Sequence, residues 1–154
     1  MAPADGRGDS NTGDSGTGNS DRGVELPAEG AVYVFGVTVR LDPDEPGVWA
    51  DPDTFETTVY RQADPPGEAG WLYFRDNLWH GNCGDEAYMR EVTEAALDAP
   101  ISNVVFRELR TTEVYLDELR AAISEDLDLF NAKNVDDVLS KYLGSSVHVV
   151  DGKV

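Results

Sequence analysis

The sequence predicts an α+β fold: an antiparallel sheet of about five strands, in the order β-β-β-α-β-α-α-β, with helices packed on one face. Three observations predict it. Five runs are rich in β-branched and aromatic residues with strand-like alternation, at 31–41, 54–62, 71–79, 101–109 and 145–150. Between and after the later runs lie three stretches with helical apolar spacing, the last two each next to a capping residue. The first three strand-like runs are joined only by loops rich in Pro, Gly and Asp, as in an antiparallel meander.

In order, the first run, AVYVFGVTVRL, places Ala31, Tyr33, Phe35, Val37, Val39 and Leu41 on one apolar face. Val32, Val34, Thr38 and Arg40 form a second face that turns polar at its end. A Pro/Asp loop over 42–52 leads to TFETTVYRQ at 54–62, and Pro65-Pro66-Gly67 marks a turn. The third run, WLYFRDNLW, would set Leu72, Phe74 and Leu78 on one face and Trp71, Tyr73, Arg75 and Trp79 on the other. After the break His80-Gly81-Asn82-Cys83-Gly84, a helix over 85–98 would turn Tyr88, Val92, Ala95 and Ala96 inward. Asp85 and Glu86 sit in its first turn, where acids are favoured, and Pro100 stops it. ISNVVFREL at 101–109 suits a fourth strand. Thr111 or Thr112 caps a helix with Tyr115, Leu119, Ala122 and Ile123 inward, which the 124–130 segment extends or bends. Asn134 caps the next helix, with Val135, Val138, Leu139 and Tyr142 inward and Gly144 at its C-terminal stop.

Composition bounds the class. The 154 residues suit one domain, and 40% are hydrophobic. Residues 1–30, dominated by Gly, Asp and Ser, have too little apolar surface to offset ordering entropy and read as a disordered tail ahead of a single domain over 31–154. Arg7-Gly8-Asp9 and Gly13-Asp14-Ser15-Gly16 in that tail match short adhesion and protease strings, as chance allows in such a composition. Thirty acids face twelve bases, for a net charge of −18. Nine of the bases are arginines and only three are lysines. Molar salt shrinks the Debye length to roughly 3 Å, so such a surface stays folded and hydrated there. Arginine persists where its forked donors are useful. The charge pattern therefore reads as salt adaptation, and it opposes nucleic acid as a partner. One cysteine excludes an internal disulfide and fits a reducing compartment. No apolar run approaches the roughly 20 residues of a membrane span, and no leader is visible, so a cytoplasmic setting is expected.

The chemistry-bearing residues are few. Two histidines and one cysteine cannot build a four-ligand zinc site. Asp42, Asp44, Gly47 and Asp53 fall at calcium-loop positions, but Pro46 interrupts them and strands flank them. No phosphate loop, dinucleotide fingerprint or zincin motif is present, so neither a metal nor a cofactor is expected. Cys83 lies before a helix start with His80 three residues away, which makes the two weak candidates for a reactive thiol and its base. The richer constellation joins aromatics to arginines: Trp71, Tyr73, Arg75 and Trp79 on the third run, Arg61 and Arg40 at the ends of the two before it, and Arg107 and Arg110 on or after the fourth. Such sets stack on flat ligands or hold anions.

The run WLYFRDNLWHGNCGDE from Trp71 to Glu86 resembles the signature region of the haloarchaeal LWR-salt proteins, and the resemblance extends over 31–150. Leu78 and Trp79 match the Leu-Trp-Arg tripeptide, and His80 stands in place of its arginine. The resemblance implies a salt-loving archaeal setting and carries over no catalytic or binding residue.

The residues favour a non-enzymatic binding or protein-interaction module whose partner is another protein or a small anionic ligand. The alternative is a small enzyme built on Cys83 and His80.

Overall fold

A computed structural model describes residues 30–150. The predicted tail, apart from Gly30, lies outside the described residues, as do the last four positions.

Strands β1 (Ala31–Arg40), β2 (Thr54–Gln62), β5 (Ile101–Thr112) and β6 (Val147–Val150) form one sheet in the order β2-β1-β5-β6. A separate two-strand hairpin pairs β3 (Leu78–Trp79) with β4 (Asn82–Cys83). The α-helices are α1 (Tyr73–Asn77), α2 (Glu86–Leu97), α3 (Glu113–Glu125) and α4 (Val135–Leu143), with a 3₁₀ turn at Leu127–Phe130. No helix among the described residues is long and apolar enough to cross a membrane.

The fold class is α+β, but the sheet departs from the predicted meander in two ways. First, 71–79 does not join it. Trp71, Phe74 and Leu78 are the buried residues of this run, and their spacing of three and four is helical rather than alternating. The segment turns into α1 and enters the main core through that face. With the third strand gone, β1 pairs antiparallel with β5 instead, from Ala31 opposite Thr111 to Val39 opposite Ile101. Second, the sheet is mixed. β6 runs parallel to β5, and α3 and α4 fill the long crossover that a parallel neighbour requires.

The caps explain why the helices start where they do. The Asp85 carboxylate accepts from the Tyr88 N–H, Thr112 Oγ1 from the Tyr115 N–H, and Asn134 Oδ1 from the Asp137 N–H. Each satisfies a donor that a helix N-terminus leaves open. Inward faces match expectation in α3 and α4, where Tyr115, Leu119, Ile123 and Val138 are buried. In α2 the stripe is shifted by one. Met89 and Thr93 are buried, while Tyr88, Val92, Ala95 and Ala96 are exposed. The Thr93 hydroxyl is satisfied inside the core by donating to the Met89 carbonyl at 2.7 Å.

All four α-helices contribute to one core, on the sheet face that carries Tyr33, Phe35, Val37 and Val39. The other face bears a small cluster, Val32 and Val34, covered by Tyr60 and Val150. Among the described residues, no helix reaches it.

Candidate functional site

The aromatic and arginine residues that the sequence groups on neighbouring strands of one sheet separate into distinct places. Trp71 is buried against Phe74 and Phe130. Arg75 bonds the neighbouring Asp76 carboxylate and the Leu129 carbonyl. Arg40 ends β1, its N–H on the Pro100 carbonyl. Trp79 lies half-exposed on the hairpin, edge-on to His80 and Tyr142. Only Arg61, Trp71 and Tyr73 meet, in a cleft of about 500 Å³ between the end of β2, the 63–72 loop and α1.

In that cleft the Arg61 guanidinium carbon sits 4.5 Å from the Tyr73 ring centre, within cation–π range. No carboxylate among the described residues pairs with it. Asp64 and Asp76 line the same opening. The Asp64 carboxylate lies against Gly70, whose φ of +89° suits glycine and where any side chain would collide with Asp64. Beneath the cleft, the Tyr115 hydroxyl donates to the Asp64 carbonyl at 2.7 Å, and the Tyr33 and Tyr73 rings lie 4.7 Å apart. Burial pushes the phenols of Tyr33, Tyr73 and Tyr115 up, the Arg61 charge partly opposing this at Tyr73.

Cys83 and His80 lie on the β3–β4 hairpin, Cys83 on β4 and His80 in the turn. His80 and Gly81 form a two-residue hairpin turn with φ of +52° and +80°, the primed type that matches strand twist. Cys83 therefore faces Leu78 across the hairpin, and its sulfur lies 3.9 Å from the Val104 carbonyl. Burial is the main influence on the thiol and pushes its pKa up, opposite to the shift that activates a nucleophile. The His80 ring packs on Trp79. The turn instead holds the end of a helix. The His80 and Gly81 N–H groups donate to the Lys141 and Tyr142 carbonyls, capping the C-terminus of α4. Among the described residues no group of three or more His, Cys, Asp or Glu could hold a metal.

The sheet face away from the helices carries the other arginines. By strand register it presents Thr38 and Arg40 from β1, Glu56 and Tyr60 from β2, Glu108 and Arg110 from β5, and His148 from β6. The pairing shifts between Val34 opposite Glu108 and Phe35 opposite Phe106, which leaves Arg107 as the extra residue of a bulge. Its guanidinium folds over Gly36, into space that a side chain at position 36 would occupy. Beside it, Arg110 Nε donates to Glu108 at 2.8 Å, and its guanidinium carbon is 5.9 Å from the Tyr60 ring centre. Burial works against the Arg110 charge, but the Glu108 carboxylate outweighs it, so the guanidinium is held more firmly protonated. The Tyr60 hydroxyl is buried there without a hydrogen-bond partner among the described residues. Sequence reasoning noted Arg107 and Arg110 but missed Tyr60 and His148, because the bulge and the parallel β6 that bring them together are non-local.

No curated protein and no solved structure matches this chain. Residues 29–153 match the LWR-salt protein description, and this span covers every element above. The chain belongs to the LWR-salt protein family.

Proposed function

We propose that this chain is a salt-adapted, non-enzymatic interaction module whose sheet face opposite the helices binds carboxylates of an acidic partner protein. One observation carries the reading. In a chain of net charge −18, the helix-free face holds Arg40, Arg107 and Arg110 against Glu56 and Glu108. Arg107 is exposed and has no carboxylate partner among the described residues. A carboxylate placed here would receive charge-assisted hydrogen bonds from the guanidinium groups, which are stronger than neutral ones. Molar salt screens the repulsion between the acidic remainder of the chain and such a partner.

The test is a titration in molar salt of the isotope-labelled chain with a glutamate-rich peptide, followed by backbone NMR. Saturable shifts over 105–110 and 58–60, abolished in an Arg107→Glu, Arg110→Glu double variant that still folds, are expected. Shifts confined to the Arg61 cleft, or unchanged in the double variant, would exclude this face as the site. If citrate reproduces the shifts at equal affinity, the ligand is a small anion rather than a protein.

A further inference from the structure

Among the described residues, no strand pairs with the outer edge of β2, and the edge is regular. Edge strands are ordinarily protected by proline, lysine, a bulge or short length. β2 has nine residues, pairs with β1 without a register shift, and contains neither proline nor lysine. Its charges are one acid, Glu56, and one base, Arg61, so it is locally neutral in a strongly acidic chain.

The direction of its free backbone groups follows from two hydrogen bonds. The Leu41 N–H donates to the Asp53 carbonyl, and the Ala63 N–H donates to the Ala31 carbonyl. With the unbroken β1–β2 register, the odd-numbered residues of β2 face β1. Thr54, Glu56, Thr58, Tyr60 and Gln62 therefore turn their N–H and C=O groups outward. An antiparallel copy with Thr58 opposite Thr58 uses all five: Glu56 meets Tyr60, and Thr54 meets Gln62. A slip of one pair in either direction leaves some unused.

The same register has a consequence on the helix side. Phe55 falls opposite Arg61 of the second copy. Phe55 is 48% exposed and Arg61 stands at the mouth of the Tyr73 cleft. The loop that enters β2 at Thr54 also carries Val48 at 49% and Trp49 at 80% exposure. Each copy thus brings exposed Phe55 to a cleft with an aromatic wall and an arginine without a carboxylate partner among the described residues, and receives the same in return. A reciprocal contact of this kind is what a twofold interface requires.

We infer that a second copy of this chain is the partner of the β2 edge: the two strands pair antiparallel about an axis through Thr58, and Phe55 of each copy packs on Arg61 at the cleft of the other. The eight-stranded sheet so formed keeps the helices of both copies on one side. Because each copy carries −18, the pairing needs counter-ion screening and belongs to molar salt. It is independent of the acidic-partner reading, which rests on the arginines of the helix-free face.

The experiment uses the full chain in molar salt, with Cys83→Ser as background. Opposed residues in such a pair have Cα atoms about 5.5 Å apart, within disulfide reach. Thr58→Cys is expected to give a covalent dimer under mild oxidation. Thr57→Cys, which falls opposite Val59, is expected to stay unlinked. Sedimentation should give two-chain mass for the parent and one-chain mass for Phe55→Glu, with unchanged circular dichroism. A parent of one-chain mass, linking at neither cysteine, linking at both equally, or a Phe55→Glu chain that remains dimeric would overturn the inference.

Discussion

The two faces of the sheet solve burial differently. On the helix side, Tyr33, Phe35, Val37 and Val39 meet side chains from all four α-helices, and Leu119, Ile123, Phe130 and Val138 are closed from solvent altogether or nearly so. On the other side, Val32 and Val34 are also buried, Val34 to 3% exposure, but the described cover is Tyr60 and Val150 with arginine stems alongside. Long amphipathic side chains can shield apolar surface while keeping their charged ends in water. An arginine-rich face therefore need not be a ligand site to be stable, yet the same arrangement leaves guanidinium groups ready for one.

Four measurements test this contrast. The largest effect is expected from Phe130→Ala. Phe130 is fully buried, stacks on Phe74 and meets Trp71 and Tyr142. Its truncation should cost about 3–5 kcal/mol in urea unfolding with an unchanged m-value.

Alkali should come next. Tyr33 and Tyr115 have phenols pushed above the usual value of about 10, first by burial. Below that value both states hold the proton. Above it the unfolded chain loses protons that the folded chain keeps, so stability falls as pH rises, by up to about 1.4 kcal/mol per pH unit for each tyrosine. Unfolding titrations from about pH 8 to about pH 12 should show this fall, and Tyr33→Phe should flatten it.

A matched pair then compares the faces directly. Val37→Ala and Val34→Ala remove the same atoms, worth about 1.6 kcal/mol of transfer. The helix-covered site at Val37 should cost more than this, because its rigid surroundings leave a cavity. The flexible cover over Val34 can collapse, so its cost should stay near the transfer value. Equal costs in urea would mean that the outer face is as rigidly packed as the inner one.

The smallest effect concerns the hairpin. His80 and Gly81 cap α4, so residue 80 sits at a helix C-terminus, where positive charge is favoured. Replacing His80 with the arginine of the Leu-Trp-Arg pattern should stabilise the chain by about 0.3–1 kcal/mol at low salt, less in molar salt, as thermal unfolding would record.

Legibility in the sequence tracked how local each determinant was. β1 and β2, rich in β-branched and aromatic residues and bounded by Pro/Gly/Asp loops, were readable to within a residue or so. Asn134 was readable as a cap, and the other cap to within Thr111 or Thr112, because a cap acts over three residues. Three features were not. At 71–79, Leu72, Phe74 and Leu78 fit alternation while Trp71, Phe74 and Leu78 fit a helix, and only the core decides between them. In α2, Tyr88 and Val92 looked the more apolar stripe, and burial of Thr93 depended on its bond to Met89. The parallel place of β6 depends on a crossover of two helices. The same non-locality governed the candidate site. Individual arginines could be named, but the bulge at Arg107 and the approach of Arg110 to Tyr60 arise from strand register.

The pairing of β1 with β5 also bears on how the chain reaches its fold. Ala31 meets Thr111 eighty residues further on, whereas the hairpin around His80-Gly81 closes within six. Long-range closure slows folding far more than short turns do. During synthesis the central strand must wait, apolar on both sides and paired at most with β2, until β5 emerges from the ribosome. The interval between translation of the first and fifth strands is therefore when this chain is most exposed to misassembly.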